Sequence, residues 1–191
     1  MKPYYTLLIS VLVTLPCAAQ RQQTFMHAVK GDSVYLFMRE TPKSGAGYHV
    51  ERKGPGESSF QRLTEEKLAA VWNPDEARAL LGNDYEAVAR MLQAKTPVET
   101  LLKLRSNRFY GGVLSLVNHR VGTVLGRFFA AGGHVRDQVY AYRVIVVDRS
   151  GRETGRMEKN ITVTENRAKP VSEPGCEVQP DGILVTWKYA P

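Results

Sequence analysis

The chain is poor in cysteine, in acid and in long apolar runs. Two of its 191 residues are cysteines, Cys17 and Cys176. That excludes a disulfide scaffold and a four-cysteine zinc site. Asp and Glu number 19 against 26 Lys and Arg, a formal net charge of +7. Such an excess suits an anionic partner: a polyanionic glycan, a lipid surface or nucleic acid. Beyond the N-terminal segment no apolar run approaches the roughly 20 residues of a membrane helix, so the mature chain is expected to have no transmembrane span. The histidines, His27, His49, His119 and His134, show no i, i+4 metal spacing and no adjacent Cys or Asp in a ligand pattern. There is no G-x-S-x-G elbow and no P-loop. No metal, cofactor or catalytic set is therefore expected. What remains, 43% hydrophobic and 24% charged, is the composition of a folded domain.

Met1 to Ala19 reads as a secretory signal peptide. Lys2 gives the positive start, Leu7 to Val13 the apolar stretch, and Cys17-Ala18-Ala19 the small residues before a cut at Gln20. A membrane anchor and a lipoprotein signal with Cys17 lipidated are the alternatives. Loss of the segment leaves Cys176 as the one thiol, which reads as a small apolar residue rather than a nucleophile.

Strand patterns come first. Val29 to Arg39, Tyr48 to Arg52 and Phe60 to Leu63 are separated by turn clusters rich in Gly and Pro. The period then changes. Thr64 to Lys67 can open a helical turn. Asn73-Pro74-Asp75-Glu76 is a helix start with Asn as cap and Pro at the first position, and Gly82 is its stop. Asn83 and Thr96-Pro97 open two more helices. Phe109 to Val117 is weakened by Gly111-Gly112, and His119 to Ala130 carries a helical apolar stripe. Strand character returns at Gln138 to Asp148, with Tyr140, Tyr142, Val144 and Val146 as the buried set, and at Gly155 to Glu165. Gly182 to Lys188 is a last strand.

Arg105, Arg108, Arg120, Arg127 and Arg136 gather in the second half of the helical block, with His119 and His134. A solvated helical face explains them; an anion-facing patch of Arg105, Arg108, Arg120 and Arg127 is the functional alternative. Glu65, Glu66, Asp75, Glu76 and Asp84 stand near helix starts, where capping accounts for acids without catalysis. Nucleic acid is not expected as a partner, since no recognition helix or stacking platform is visible.

Asp32 to Met38, Gly47 to Arg52 and above all the Tyr140-x-Tyr142-x-Val144-x-x-x-Asp148-x-x-Gly151 run resemble strands of a fibronectin type III domain. The resemblance implies a fold that is mainly β with an α insertion: an antiparallel β-sandwich interrupted by a bundle of short helices. It also implies a tyrosine corner, in which a Tyr hydroxyl caps a backbone group; Tyr140 is favoured over Tyr142 for that role. The expected organisation is a signal peptide at 1–19, a domain at 20–166 with the insertion at about 64–131, and a linker at 167–175. The start of a second, incomplete domain follows at 176–191, where Asp181 to Lys188 looks like another second strand, with further domains after Pro191. The helical block is expected to pack as a small lobe that borrows its apolar partner from the sandwich. The implied role is that of a non-catalytic spacer or interaction module of an exported bacterial protein, with a protein or glycan partner. A carbohydrate-binding accessory module and a hydrolase housed in the insertion are the alternatives.

Overall fold

The computed structural model describes residues 25–164 and the backbone of the strands Val171–Gln179 and Gly182–Tyr189. The expected signal peptide lies outside these residues. Within 25–164 there are two antiparallel sheets. The first has the order β1 (Met26–Lys30), β2 (Ser33–Phe37), β5 (Phe128–Ala131). The second has the order β4 (Gln61–Arg62), β3 (Gly47–Lys53), β6 (Val139–Val147), β7 (Glu153–Thr162).

Alternation along the strands puts Val34 and Leu36 of β2 on one face of the first sheet. Val50 of β3, Tyr140, Tyr142 and Val144 of β6, and Met157 and Ile161 of β7 share a face of the second. These residues form one buried cluster with Phe25, Met38, Tyr48 and Val163, so the two sheets share a core. Towards the end of β6 the opposite face is covered as well, with Ile145 and Val147 buried, while Val146 is half-buried against the shared core. The register between β6 and β7 shifts at Val146/Val147, where Thr154 of β7 is the extra residue.

The helices lie between β4 and β5: α1 (Pro74–Leu81), a 3-10 turn at Gly82–Asp84, α2 (Tyr85–Met91), α3 (Pro97–Ser106), α4 (Arg108–Val117) and α5 (His119–Val124). Four of the five α-helices start on a side-chain cap; α2, which follows the 3-10 turn directly, does not. Asn73 accepts from the amides of Asp75 and Glu76, Thr96 from Glu99, Asn107 from Phe109 and Tyr110, and Asn118 from Arg120 and Val121. Gly82 ends α1 with positive φ.

Helix and strand take about equal shares of residues 25–164, so the fold is mixed α/β rather than mainly β. The lobe also has its own core, in which Leu81, Val88, Leu101, Leu104, Leu114, Val121 and Leu125 pack together. It does not borrow the sheets' apolar surface for that purpose.

Four local expectations change as well. Val29 to Arg39 is two strands, because Lys30-Gly31-Asp32 turns the chain with Gly31 at φ +61. Thr64 to Lys67 forms no helical turn. The Thr64 hydroxyl accepts the Val50 amide at 3.1 Å, and Leu68 bridges to Tyr48. The helix expected through Ala130 ends at Val124, and Phe128 and Phe129 belong to β5. Gly126 causes that break: its φ is +63, and a Cβ there would lie 2.5 Å from the Ala69 carbonyl carbon. Finally, β8 (Val171–Gln179) begins inside the segment expected as a linker. It pairs with β9 (Gly182–Tyr189) in a sheet of its own, with a register shift between Ser172 and Gly175 at Pro174, which has no N–H to donate.

Candidate functional site

Tyr140 and Tyr142 are neighbours on the buried face of β6 and end on different partners. The Tyr140 hydroxyl accepts the Val135 amide at 2.9 Å, five residues upstream. Tyr142 has no exposed surface, and its hydroxyl meets Nε2 of His134. His134 Nδ1 lies 2.7 Å from the Asp32 carbonyl oxygen, which can only accept. Nδ1 therefore carries the proton, and Nε2 accepts from Tyr142. The Arg52 guanidinium lies 3.4 Å from the same Nε2 and over the Tyr140 ring. Burial, and then the Arg52 charge, hold the His134 pKa below its ordinary value against the opposing pull of Asp32. Burial pushes the Tyr142 hydroxyl up to about 12. The set keeps one neutral tautomer fixed between two sheets, and its visible work is to tie the turn after β1 to β6.

The four arginines of the expected anion patch have different tasks. Arg127 is 7% exposed, and its Nε donates to the Met38 carbonyl at 2.8 Å. Arg105 lies over the Trp72 ring and donates to the Val71 carbonyl at 3.1 Å. Arg120 donates to the Leu81 carbonyl at 2.9 Å and stands 3.7 Å from the Asp84 carboxylate. Arg108 is exposed at the start of α4. Three of the four thus fasten backbone carbonyls at the seams of the lobe, so their ion-binding faces are largely used. The carbonyls are neutral and leave the charge of Arg105 and Arg127 uncancelled, whereas Arg120 is offset by Asp84.

Of the acids expected near helix starts, Asp75 and Glu76 stand in the first turn of α1, whereas Glu65 and Glu66 lie on a stretch that forms no helix. Asp84 accepts from the Asn118 side chain at 3.0 Å, and Glu99 accepts the Lys95 amide at 2.8 Å and pairs with Lys103 at 2.7 Å. The carboxyls with displaced pKa values, Asp32, Glu99, Asp148 and Glu153, are all displaced downward, led by hydrogen bonds from Gly133, Lys103, Ser150 and Arg156 respectively. A general acid at neutral pH needs the opposite displacement. Among the described residues no three His, Cys, Asp or Glu side chains stand together in ligating position. An open depression beside α1 and α2 is lined by Asp75, Arg78, Tyr85 and Glu86, with Arg78 lying over the Tyr85 ring.

The most unusual surface is on α4. Gly111, Leu114 and Ser115 face inward. Gly111 is needed there, since a Cβ would collide with the Leu104 carbonyl of α3. The two glycines that weaken the helix on propensity are thus partly a packing requirement, and the helix runs its full length. The opposite side presents Phe109 at 72% exposure and Val117 at 75%, with Tyr110, Val113 and Leu116 between them. At 3.6 residues per turn these five share one side of the helix. A helix apolar on both sides is ordinarily covered on both. Val98 and Leu102, also exposed, lie four residues apart on α3. From the sequence Phe109 and Tyr110 read either as part of a binding edge or, the favoured reading for aromatic residues at a helix start, as core; they are exposed instead, and Val113, Leu116 and Val117 complete a face that the sequence pattern had not marked. The signal was the run Phe109 to Val117, which has no charged residue in nine positions.

Among the described residues no helix is long and apolar enough to cross a membrane. No protein-family model matches the chain, and no curated protein matches it.

Proposed function

We propose that the chain is an exported, fibronectin type III-like sandwich whose work is docking rather than turnover, and that the outward side of α4 is its docking surface. The fold half of this reading is supported by the strand order. Seven antiparallel strands divide three and four, β2 and β3 lie in different sheets, and β4 lies beside β3 rather than at the edge of the first sheet. Two such sheets around one core are the architecture of immunoglobulin-like sandwiches. Export rests on the signal-like segment Met1 to Ala19.

The observation that carries the docking half is the apolar outer side of α4, with five large side chains at 42% exposure or more. Left in water, such a side is an interaction site or an aggregation liability. The carbohydrate-binding alternative draws less support. Phe109 and Tyr110 meet edge to face at 70°, and Arg105 covers one face of Trp72, so these rings present no common flat platform for a sugar.

The test is a photo-crosslinking residue placed at Val117 and, as control, at exposed Asn160 on β7 in the host. Adducts from position 117 and none from 160 are expected. No adduct from 117 would sink the docking reading. Turnover of any member of a glycoside, ester and peptide substrate panel would sink the non-catalytic half.

A further inference from the structure

We infer that the occupant of the α4 side is an anionic lipid surface, with the apolar side chains entering the boundary between headgroups and acyl chains. The inference rests on the docking reading above and adds the partner's chemistry.

Its first ground is charge. Between Glu99 and Asp137 the sequence has no Asp or Glu, and it has six cations: Lys103, Arg105, Arg108, Arg120, Arg127 and Arg136. Three of the six pair with acids outside the stretch, Lys103 with Glu99 at 2.7 Å, Arg120 with Asp84 at 3.7 Å and Arg136 with Asp137 at 3.9 Å; the excess around α4 is carried by Arg105, Arg108 and Arg127, which pair with no acid among the described residues. Arg105 and Arg127 are held by neutral carbonyls that leave their charge uncancelled, Arg105 half-buried over Trp72 and Arg127 buried. Arg108 stands exposed beside Phe109 at the edge of the apolar side. A partner that accepts this face should therefore be negative. A second copy is the wrong occupant, because a two-fold contact would bring two acid-free stretches together.

The second ground is the scarcity of hydrogen-bonding groups. The outward side of α4 offers the Tyr110 hydroxyl and the Arg108 guanidinium among aliphatic and aromatic surface. Protein partners use roughly one hydrogen bond per 100–200 Å² of interface, which this side cannot return. A headgroup boundary demands none from the apolar residues. Tyr and Arg are the side chains that keep a polar tip at that level while burying their stems. A helix of ten residues lying in the plane, with cations at its rim, gives weak, reversible, salt-sensitive attachment.

The experiment is co-sedimentation of the full chain, as processed in its host, with phosphatidylglycerol–phosphatidylcholine vesicles and with phosphatidylcholine vesicles. Retention on the anionic vesicles is expected, about tenfold or more weaker on the neutral ones, and weaker as salt is raised. The double variant Phe109→Ser, Val117→Ser should lose about tenfold or more of the retention with an unchanged circular dichroism spectrum. Arg108→Glu should reduce the preference for anionic vesicles while leaving the residual neutral binding. No retention on anionic vesicles, equal retention on both kinds, or full retention by the double variant would each overturn the proposal. A concentration-dependent dimer lost in the double variant, without vesicle binding, would overturn it in favour of a second copy. Protein adducts from position 117 without vesicle binding would overturn the lipid partner and leave the docking reading standing.

Discussion

The Tyr140 hydroxyl is the partner of the Val135 amide in a turn that no strand ladder reaches. Tyr140→Phe removes the acceptor and nothing else of size. It should cost about 1 kcal/mol of stability, read as a lowered denaturant midpoint with unchanged slope. An unchanged midpoint would mean that water replaces the hydroxyl without loss. His134 predicts a pH effect. Its folded pKa lies below the ordinary value because of burial and then Arg52, while the unfolded value is about 6.5. Below pH about 6.5 the unfolded chain takes up a proton that the folded chain refuses, so stability falls as pH drops through and below that point. His27 and His49 are also held down, chiefly by burial, and contribute slope of the same sign. His134→Gln should therefore flatten the pH dependence of the midpoint in part; an unaltered slope would show that His134 does not titrate with folding. Gly126→Ala meets two obstacles at once, the positive φ and the backbone at Ala69–Ala70. A loss of about 2 kcal/mol or more is expected by thermal or denaturant melting, and a loss near that of an ordinary surface change would count against the close approach.

At the level of elements, α4 makes an unusual prediction for large apolar residues: removing them should cost little. Phe109→Ser and Val117→Ser act on side chains 72% and 75% exposed. Each should change stability by no more than about 0.5 kcal/mol. A loss of core size would place these residues under cover within the chain itself. The same helix shows what the sequence made legible. α1 and α3 were readable from Asn73-Pro74, Gly82 and Thr96-Pro97, because a cap is a local contract between a side chain and amides two or three residues on. Asn107 and Asn118 carry the same signal at α4 and α5. The end of α5 was not readable, because the apolar stripe runs unbroken through Phe128 and Phe129. What breaks it is a tertiary contact at Gly126 and the pairing of Leu36 with Phe129 in β2 and β5. β1 was missed for the opposite reason, since Met26 to Lys30 follows a polar lead-in and only its pairing with β2 marks it as strand. Of the site, the tyrosines could be picked out by spacing. The His134–Tyr142 contact could not, and neither could the arginines' choice of carbonyl partners, since both depend on chain segments far apart.

At the scale of the molecule, two apolar cores stand in series on one chain, one between the sheets and one among the helices. The sheets are joined through the helices: β4 belongs to the four-stranded sheet, β5 to the three-stranded one, and the whole lobe is the connection between them. That placement has a kinetic consequence. β5 can reach β2 only after the long segment from Arg62 to Phe128 has been drawn closed, and an unstructured loop pays an entropy that grows with its length, about 0.6 kcal/mol per doubling. A lobe that has already condensed on its own core is a short tether instead of a long one. The helices should therefore form before the first sheet is complete, and faults in them should delay it. Leu104→Ala, at 2% exposure in the lobe core, should destabilise by about 2–5 kcal/mol and act mainly on the refolding rate rather than the unfolding rate. Stopped-flow refolding at wild-type speed, with the loss appearing wholly as faster unfolding, would reverse that order. In the expected order the insertion sets the pace at which the two sheets find each other.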